Sequence, residues 1–360
     1  MDIARSGLEG WFNEQHPGTR HDLGGTMVPA ARDRIAALWR PDCLAMGYPP
    51  TSGSADLRSL LARHEDLDPG DLVLTCGATE ANAAAVLACV EPGREVVLQH
   101  PVYYQFEPLL LAGGARIVRW DPFGGEPAPI GPETGLVVLN TPHNPTGRVF
   151  DPEGVVRLAE ALPSCRVLVD EVYRGVTADA PGTAALLSPR VVATSSFAKR
   201  WGMPGLRLGW LACRDAQVRE RAHAWHHYLA HSPPAASERL VVALWPELLV
   251  MLRESRVLAQ RNVGILAAWL AELRGVVEGR PPEGGVTTLV RPTGFAGDDV
   301  ALALRLRREF GVFVLPGAYV GYPGWLRVGC GHREAADLVA ALAALEGAFR
   351  AVGAAAGERV

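Results

Sequence analysis

Of 35 lysine and arginine side chains in the chain, only one is a lysine, Lys199. Arginine can replace lysine in charge but not in covalent chemistry. A guanidinium stays protonated, whereas a desolvated amine condenses with an aldehyde. Lys199 sits in the run from Thr194 to Arg207, TSSFAKRWGMPGLR, and reads as a Schiff-base lysine. Asp170 ends the apolar run Val167-Leu168-Val169. From there a carboxylate projects off the carboxyl edge of a sheet into a ligand crevice or caps a helix. Gly77-Ala78-Thr79 falls between a strand pattern and a helix pattern, where backbone amides and a hydroxyl can hold a phosphate at the positive end of a helix.

These residues need a sheet edge to converge on. From Leu72 to Cys213 short β-rich runs alternate with helical stretches, the pattern of a mostly parallel sheet covered by helices. Strands are predicted at Leu72–Thr75, Glu95–His100, Ala115–Trp120, Leu136–Asn140, Arg166–Glu171, Val191–Phe197 and Leu206–Cys213. Helices are predicted at Ser54–His64, Thr79–Val90 and Pro152–Leu162. A long helical region follows from Arg214 to about Leu273. After the Gly/Pro-rich stretch at 279–285, strands at Val286–Arg291, Val312–Leu315 and Trp325–Gly329 and helices at Asp299–Phe310 and Arg333–Val352 suggest a smaller α+β unit. The expected division is an N-terminal segment, 1–46, packing on the small domain; a large domain, 47–260; and a small C-terminal domain, 261–360.

A net charge of -4 gives no reason to expect nucleic acid or an anionic membrane as partner. The six cysteines lack CxxC or CxxH spacing, so neither a metal site nor a disulfide framework is suggested. The start carries an early acid and no long apolar run, unlike a secretory signal. A soluble, cytoplasmic protein is the expectation.

Taken in order, Tyr48…Gly53, Gly77-Ala78-Thr79, Pro101-Val102-Tyr103, Asn144-Pro145-Thr146-Gly147, Asp170-Glu171-Val172-Tyr173, Ser196…Lys199…Arg207 and Arg327 resemble the class I/II aminotransferases, the fold-type-I pyridoxal-phosphate (PLP) enzymes. The resemblance spans nearly the whole chain. It implies an α/β fold with a large PLP-binding domain and a seven-stranded, mostly parallel sheet. It also implies catalysis on an α-amino acid through a Lys199 aldimine and a Cα quinonoid.

By the same comparison, Asp170 pairs with the ring nitrogen, while Tyr173 and Asn144 bond the ring's phenolic oxygen. Gly77, Ala78, Thr79, Ser196 and Arg207 take the phosphate, and Tyr103 stacks on the ring. Arg327 grips the substrate carboxylate, with Gly24 or Gly25 beside it. Tyr48 reaches the phosphate of a neighbouring subunit, which implies a homodimer with shared sites.

Ala198 stands where many family members have serine. The stretch Leu8-Glu9-Gly10-Trp11-Phe12 followed by Asp22-Leu23-Gly24-Gly25 resembles capreomycidine-synthase-like enzymes, and the antibiotic branch also includes lincosamide PLP enzymes. The histidines His223, His226, His227 and His231 lie where the family places substrate-facing residues. They are candidates for a non-standard reaction or for a solvated helix face. The aminotransferase reading therefore stands beside a lyase, a decarboxylating deaminase or a cyclase acting on a modified amino acid, C–S cleavage for example. A catalytically dead PLP-fold binder would not need Lys199, Asp170, Arg207 and Arg327 together. No GxGxxG follows the first strand, which argues against a nicotinamide-binding domain.

Overall fold

A computed structural model of the chain describes residues 6–38, 47–101, 103–178 and 182–357. The N-terminal segment forms α1 (Gly7–Gln15), β1 (His21–Asp22) and α2 (Arg32–Leu38). The large sheet is then laid down with its covering helices: α3 (Ala55–Glu65), β2 (Leu72–Thr75), α4 (Ala78–Cys89), β3 (Glu95–Gln99), α5 (Phe106–Ala112), β4 (Arg116–Trp120), β5 (Thr134–Asn140), α6 (Pro152–Glu160), β6 (Arg166–Asp170), β7 (Val191–Ser196) and β8 (Gly209–Cys213). Its spatial order is β2-β8-β7-β6-β5-β3-β4. Only β8 runs against its neighbours.

Strands β2, β7 and β8 are buried at every position. That is why they read as continuous apolar or small-residue runs rather than as alternation: helices cover both faces of the sheet. Helix α4 is rich in alanine and buried along most of its length. The loop leading into it lies close against β8, because a Cβ on Gly209 would come within 2.6 Å of the Gly77 backbone.

The predicted strand from Leu206 begins only at Gly209. Pro204–Leu206 forms a 3-10 turn, and Arg207 adopts a left-handed conformation with φ 49°. The long helical region after Arg214 is three helices, α7 (Ala216–Ala230), α8 (Ala235–Ala243) and α9 (Trp245–Glu272). His231, at φ 67°, and Pro233-Pro234 break the first junction. Within α9, Trp245 to Leu252 pack in the core beneath the large sheet, whereas Ala259 to Leu270 pack in a second core with the C-terminal elements.

Those elements are β9 (Val277–Gly279), β10 (Thr287–Pro292), α10 (Asp299–Phe310), β11 (Val312–Phe313), β12 (Leu315–Pro316), β13 (Leu326–Gly329) and α11 (Ala335–Gly357). The single strand expected over Val312–Leu315 is two. β11 pairs with β1, while β12 joins the antiparallel sheet β12-β13-β10-β9. Trp11 and Leu23 of the N-terminal segment are buried in this second core. Residues 39–46 of that segment lie outside the described residues. Among the described residues no helix is long and apolar enough to cross a membrane.

Candidate active site

The carboxyl ends of β5, β6 and β7 open into a cavity of about 520 Å³. Lys199, Asp170, Tyr173, Asn144, Tyr103, Ser196, Arg207, Gly77, Ala78, Thr79, Arg327, Gly24 and Gly25 all line it. Residues more than 300 positions apart in sequence thus share one space. Val102, beside Tyr103, lies outside the described residues.

Lys199 follows the end of β7, and its Nζ donates to Thr26 Oγ1 at 2.6 Å. The amine stands 5.8 Å from the centre of the Tyr173 ring. Asp170, the last residue of β6, is 3 % exposed. It accepts from Asn82 Nδ2 at 2.9 Å and from the Val172 N–H at 3.1 Å. Burial pushes its pKa up to about 6, against these two hydrogen bonds. Among the described residues this carboxylate forms no ion pair, Lys199 being the smallest influence on it, and it suits a cationic partner.

Asn82 is itself oriented, accepting from Thr194 Oγ1 at 2.5 Å. Asn140 donates to the Asp170 carbonyl at 3.0 Å and accepts from the Asn144 N–H at 2.9 Å. Neither residue belongs to a recognised motif, although Asn82 is the one buried amide among the alanines of α4, a signal that sequence can carry. His143, also unexpected, bridges the Pro101 carbonyl at 2.8 Å and Thr146 Oγ1 at 2.7 Å. Burial pushes its pKa down to about 4, so it is neutral near pH 7.

At one end of the cavity, α4 opens on Gly77 with no side-chain cap, leaving its first N–H groups free of that partner. Gly77 has φ +92°, and a Cβ there would meet Arg207 Nη2 at 2.8 Å. Arg207 is exposed and donates only to backbone carbonyls, Cys76 at 3.3 Å and Pro204 at 3.4 Å. At the other end Arg327, on β13, is 3 % exposed and donates to Asn144 Oδ1 and to the Gly24 carbonyl, both at 3.2 Å. Its Nε is buried without a hydrogen bond, and burial lowers its pKa. The glycines let the N-terminal segment lie against β13: a Cβ on Gly329 would come within 1.7 Å of the Gly25 carbonyl oxygen, and one on Gly24 would strike the Phe313 ring.

Two groups of residues named from the sequence lie away from this cavity. Tyr48 is 86 % exposed, with its ring edge-on to His231 at 4.9 Å, and does not line this cavity. None of His223, His226, His227 and His231 lines it either. The first three sit on α7, which packs on α4, and His231 follows its end. His226 is buried against Glu80 at 2.5 Å, and His223 meets Thr51 at 3.0 Å. The histidine that does line the cavity is His16, hydrogen-bonded to Asp22 at 3.0 Å, with Leu8 and Phe12 beside it.

The sequence profile described as "Aminotransferase class I and II" matches residues 44–345. The chain belongs to that family. It is 28 % identical over 352 residues to a capreomycidine synthase of Streptomyces vinaceus, covering 89 % of this chain and 88 % of that protein. It is 29 % identical over 298 residues to a methionine aminotransferase of Escherichia coli K12, covering 75 % of each. The fold matches a PLP-dependent aminotransferase of Streptococcus suis 89-1591 at TM-score 0.87 and 24 % identity, covering 97 % of this chain and 98 % of that one.

Membership makes pyridoxal 5'-phosphate the cofactor, and the cavity suits it. The uncapped start of α4 and the exposed Arg207 guanidinium are matched to a phosphate. The buried Asp170 carboxylate is matched to a protonated ring nitrogen, and Lys199 is the one amine in the cavity.

Proposed function

We propose that the protein acts on a free α-amino acid as an aminotransferase. When bound, the cofactor supplies an aldehyde carbon and a protonated ring that withdraws electrons from the substrate Cα. Lys199 would hold the cofactor and, once displaced, move the Cα proton with its free amine. Asp170, oriented by Asn82, would keep the ring nitrogen protonated. Tyr173 and Asn144 would bond the phenolic oxygen, and Tyr103 would lie on the ring face. Gly77, Ala78, Thr79, Ser196 and Arg207 would take the phosphate.

The observation that carries the substrate class is Arg327. A buried guanidinium that forms no ion pair among the described residues, with Asp22 acting on it only at longer range and its Nε idle, faces the same cavity as Lys199 and suits an α-carboxylate held by two parallel hydrogen bonds. Asn144 and the Gly24 carbonyl would aim it, and Gly25 lies alongside. Among the described lining residues the arginines are Arg207 and Arg327 alone, so a second carboxylate on the substrate side chain has no counter-charge there. Asp22 and His16 remain to meet that side chain, which favours a neutral or cationic one.

The second reading is a lyase or cyclase on a modified amino acid in antibiotic biosynthesis. It is supported by the likeness to capreomycidine synthase over 89 % of the chain. A product screen of the holoenzyme against amino acids, with and without an α-keto acid, separates the two. Transamination turns over only with the acceptor present; continued turnover without it selects the second reading.

We also propose a homodimer in which Tyr48 serves the partner's phosphate site. Its 86 % exposure, beside the 81 % exposure of Tyr228, leaves both rings available to a second copy. Mixing Lys199→Ala chains with Tyr48→Phe chains should then rebuild one intact site per hybrid. A monomeric protein, or no recovery despite a measurable Tyr48→Phe defect, defeats the proposal.

A further inference from the structure

Behind the cavity lies an ionic cluster that no cofactor motif includes. Glu65, the last residue of α3, is 2 % exposed. Its Oε1 accepts from Arg200 Nη2 at 2.5 Å, and its Oε2 accepts from Arg174 Nη2. Arg174 Nε lies 3.2 Å from Glu171 Oε2. Glu171 also accepts from the Thr183 hydroxyl and from the Ala184 N–H at 3.0 Å. Among the described residues two carboxylates and two guanidiniums are thus paired in one cluster.

Each member supplied by the segments after β6 and β7 is the chain neighbour of a cavity residue. Glu171 follows Asp170, Arg174 follows Tyr173, and Arg200 follows Lys199. In each pair the first side chain lines the cavity and the second is held in the cluster. The two loops that carry Lys199 and Tyr173 are joined through one carboxylate on α3. A cluster of apolar side chains would be at least as stable as buried ion pairs. It would not set the two loops at fixed hydrogen-bond distances from a common point, nor place a counter-charge beside the Lys199 backbone.

We propose that Glu65 is a positioning residue for the cofactor site: through Arg200 and Arg174 it fixes the backbone on which Lys199 and Tyr173 stand, and it offsets the positive charge of Arg200, the chain neighbour of Lys199. This rests on Lys199 being the cofactor lysine. The charged and titratable groups around Glu65 are Arg174 and Glu171 after β6, Arg200 after β7, His64 on α3 itself, and Arg256 on α9, which acts on His64. Burial would raise the Glu65 carboxyl, but Arg200 and Arg174 bring it down to about 2. Burial, then Arg200, pushes His64 down to about 4. Neither group changes charge near or above neutrality, so a spectral titration there reports on the Lys199 end of the cofactor.

The test is a pH titration of the visible absorbance of the bound cofactor in the holoenzyme. Glu65→Gln leaves the cluster with an excess positive charge. The midpoint should fall by roughly half a unit to one unit, and cofactor affinity should drop several-fold. Arg200→Gln leaves an excess negative charge and should move the midpoint upward. The double variant Glu65→Gln/Arg200→Gln loses one charge of each sign and should return near the wild-type midpoint even if its melting temperature is lower.

An unchanged midpoint in folded Glu65→Gln, or a double variant displaced at least as far as the single, overturns the proposal and leaves Glu65 a packing residue. If Glu65→Gln does not accumulate as folded protein, Arg200→Gln decides alone, and a downward or absent shift overturns it. A wild-type holoenzyme with no such absorbance band removes the Lys199 reading instead, and this proposal with it.

Discussion

The two ends of the cavity are built differently. The Lys199 end is assembled from β5, β6 and β7 of one sheet, with the start of α4 beside them, and the sheet's register fixes Asn140 opposite Asp170 and Asp170 opposite Thr194. The Arg327 end is assembled from β13 and from the N-terminal residues Leu8 to Gly25, laid along it through the bond from the Gly329 N–H to the Leu23 carbonyl at 2.6 Å. At the first end, functional atoms are bonded to one another within a buried network: Asp170 to Asn82, Asn82 to Thr194, Asn140 to Asn144. At the second, Arg327 bonds neutral groups only, and His16 with Asp22 is nearly half exposed. A rigid end suits a cofactor that every turnover reuses, and a looser end suits a substrate that must enter and leave.

The largest effects should come from the rigid end. Lys199→Arg keeps the charge and loses the condensing amine, so turnover should fall by ~10⁴-fold or more. Borohydride treatment followed by mass spectrometry should find the cofactor on Lys199 in wild type and nowhere in the variant. Reduced cofactor on another residue would move the centre of the site.

Asp170→Asn should slow turnover by about 10²–10⁴-fold while cofactor remains bound. It also carries a stability signature in the apoprotein. The folded carboxyl is raised to about 6 by burial, whereas an unfolded aspartate titrates near its ordinary value of about 4. Between those values the unfolded chain loses the proton first, so wild-type stability falls as pH rises through this window, by on the order of 2–3 kcal/mol. The asparagine variant lacks that loss. Denaturant unfolding of both apoproteins at about pH 4 and pH 7 should show the variant gaining on wild type at the higher pH; parallel behaviour would mean that the carboxyl is not raised.

The rigid end was also the legible one, for the same physical reason. Strand-end residues such as Asp170 and helix-start residues such as Gly77 take their position from a local pattern, and Lys199 stood out by chemistry alone. Asn82 escaped because its role is given by a neighbour 88 positions away, Asp170, which no local pattern specifies. The other end could not be read by composition. His223 to His231 form the densest imidazole cluster in the chain, yet α7 turns them toward α4, Thr51 and solvent. His16, a lone histidine after α1, reaches the cavity because β1 pairs with β11. Arg207 lines the cavity but does not lie in the strand expected from Leu206: its left-handed backbone and the preceding turn end the chain's extended course before β8.

At the substrate end, Arg327→Lys should raise the Michaelis constant for the best amino acid by about 10–100-fold, since an ammonium cannot reproduce a paired guanidinium contact. Cofactor affinity should change far less. A split in the opposite sense, with cofactor binding lost and the Michaelis constant kept, would assign Arg327 to the rigid end and dissolve the contrast between the two.

The smallest expected effects separate the histidine in the cavity from those outside it. His16→Gln keeps a hydrogen-bonding side chain of similar reach but removes the ring that packs on Phe313 at 5.0 Å between centroids. It should raise the Michaelis constant only a few-fold, about the worth of one exposed polar contact. His227→Ala removes an exposed ring whose neighbours are His231 and Tyr228, 4.7 and 5.9 Å away. It should leave kcat and KM within about twofold of wild type, because single surface changes away from a site do little. Steady-state kinetics on the two variants side by side gives the ranking. If His227→Ala proves the more damaging, the α7 histidines act on a site they do not line in their own chain, and the partner subunit's cavity becomes the place to look for them.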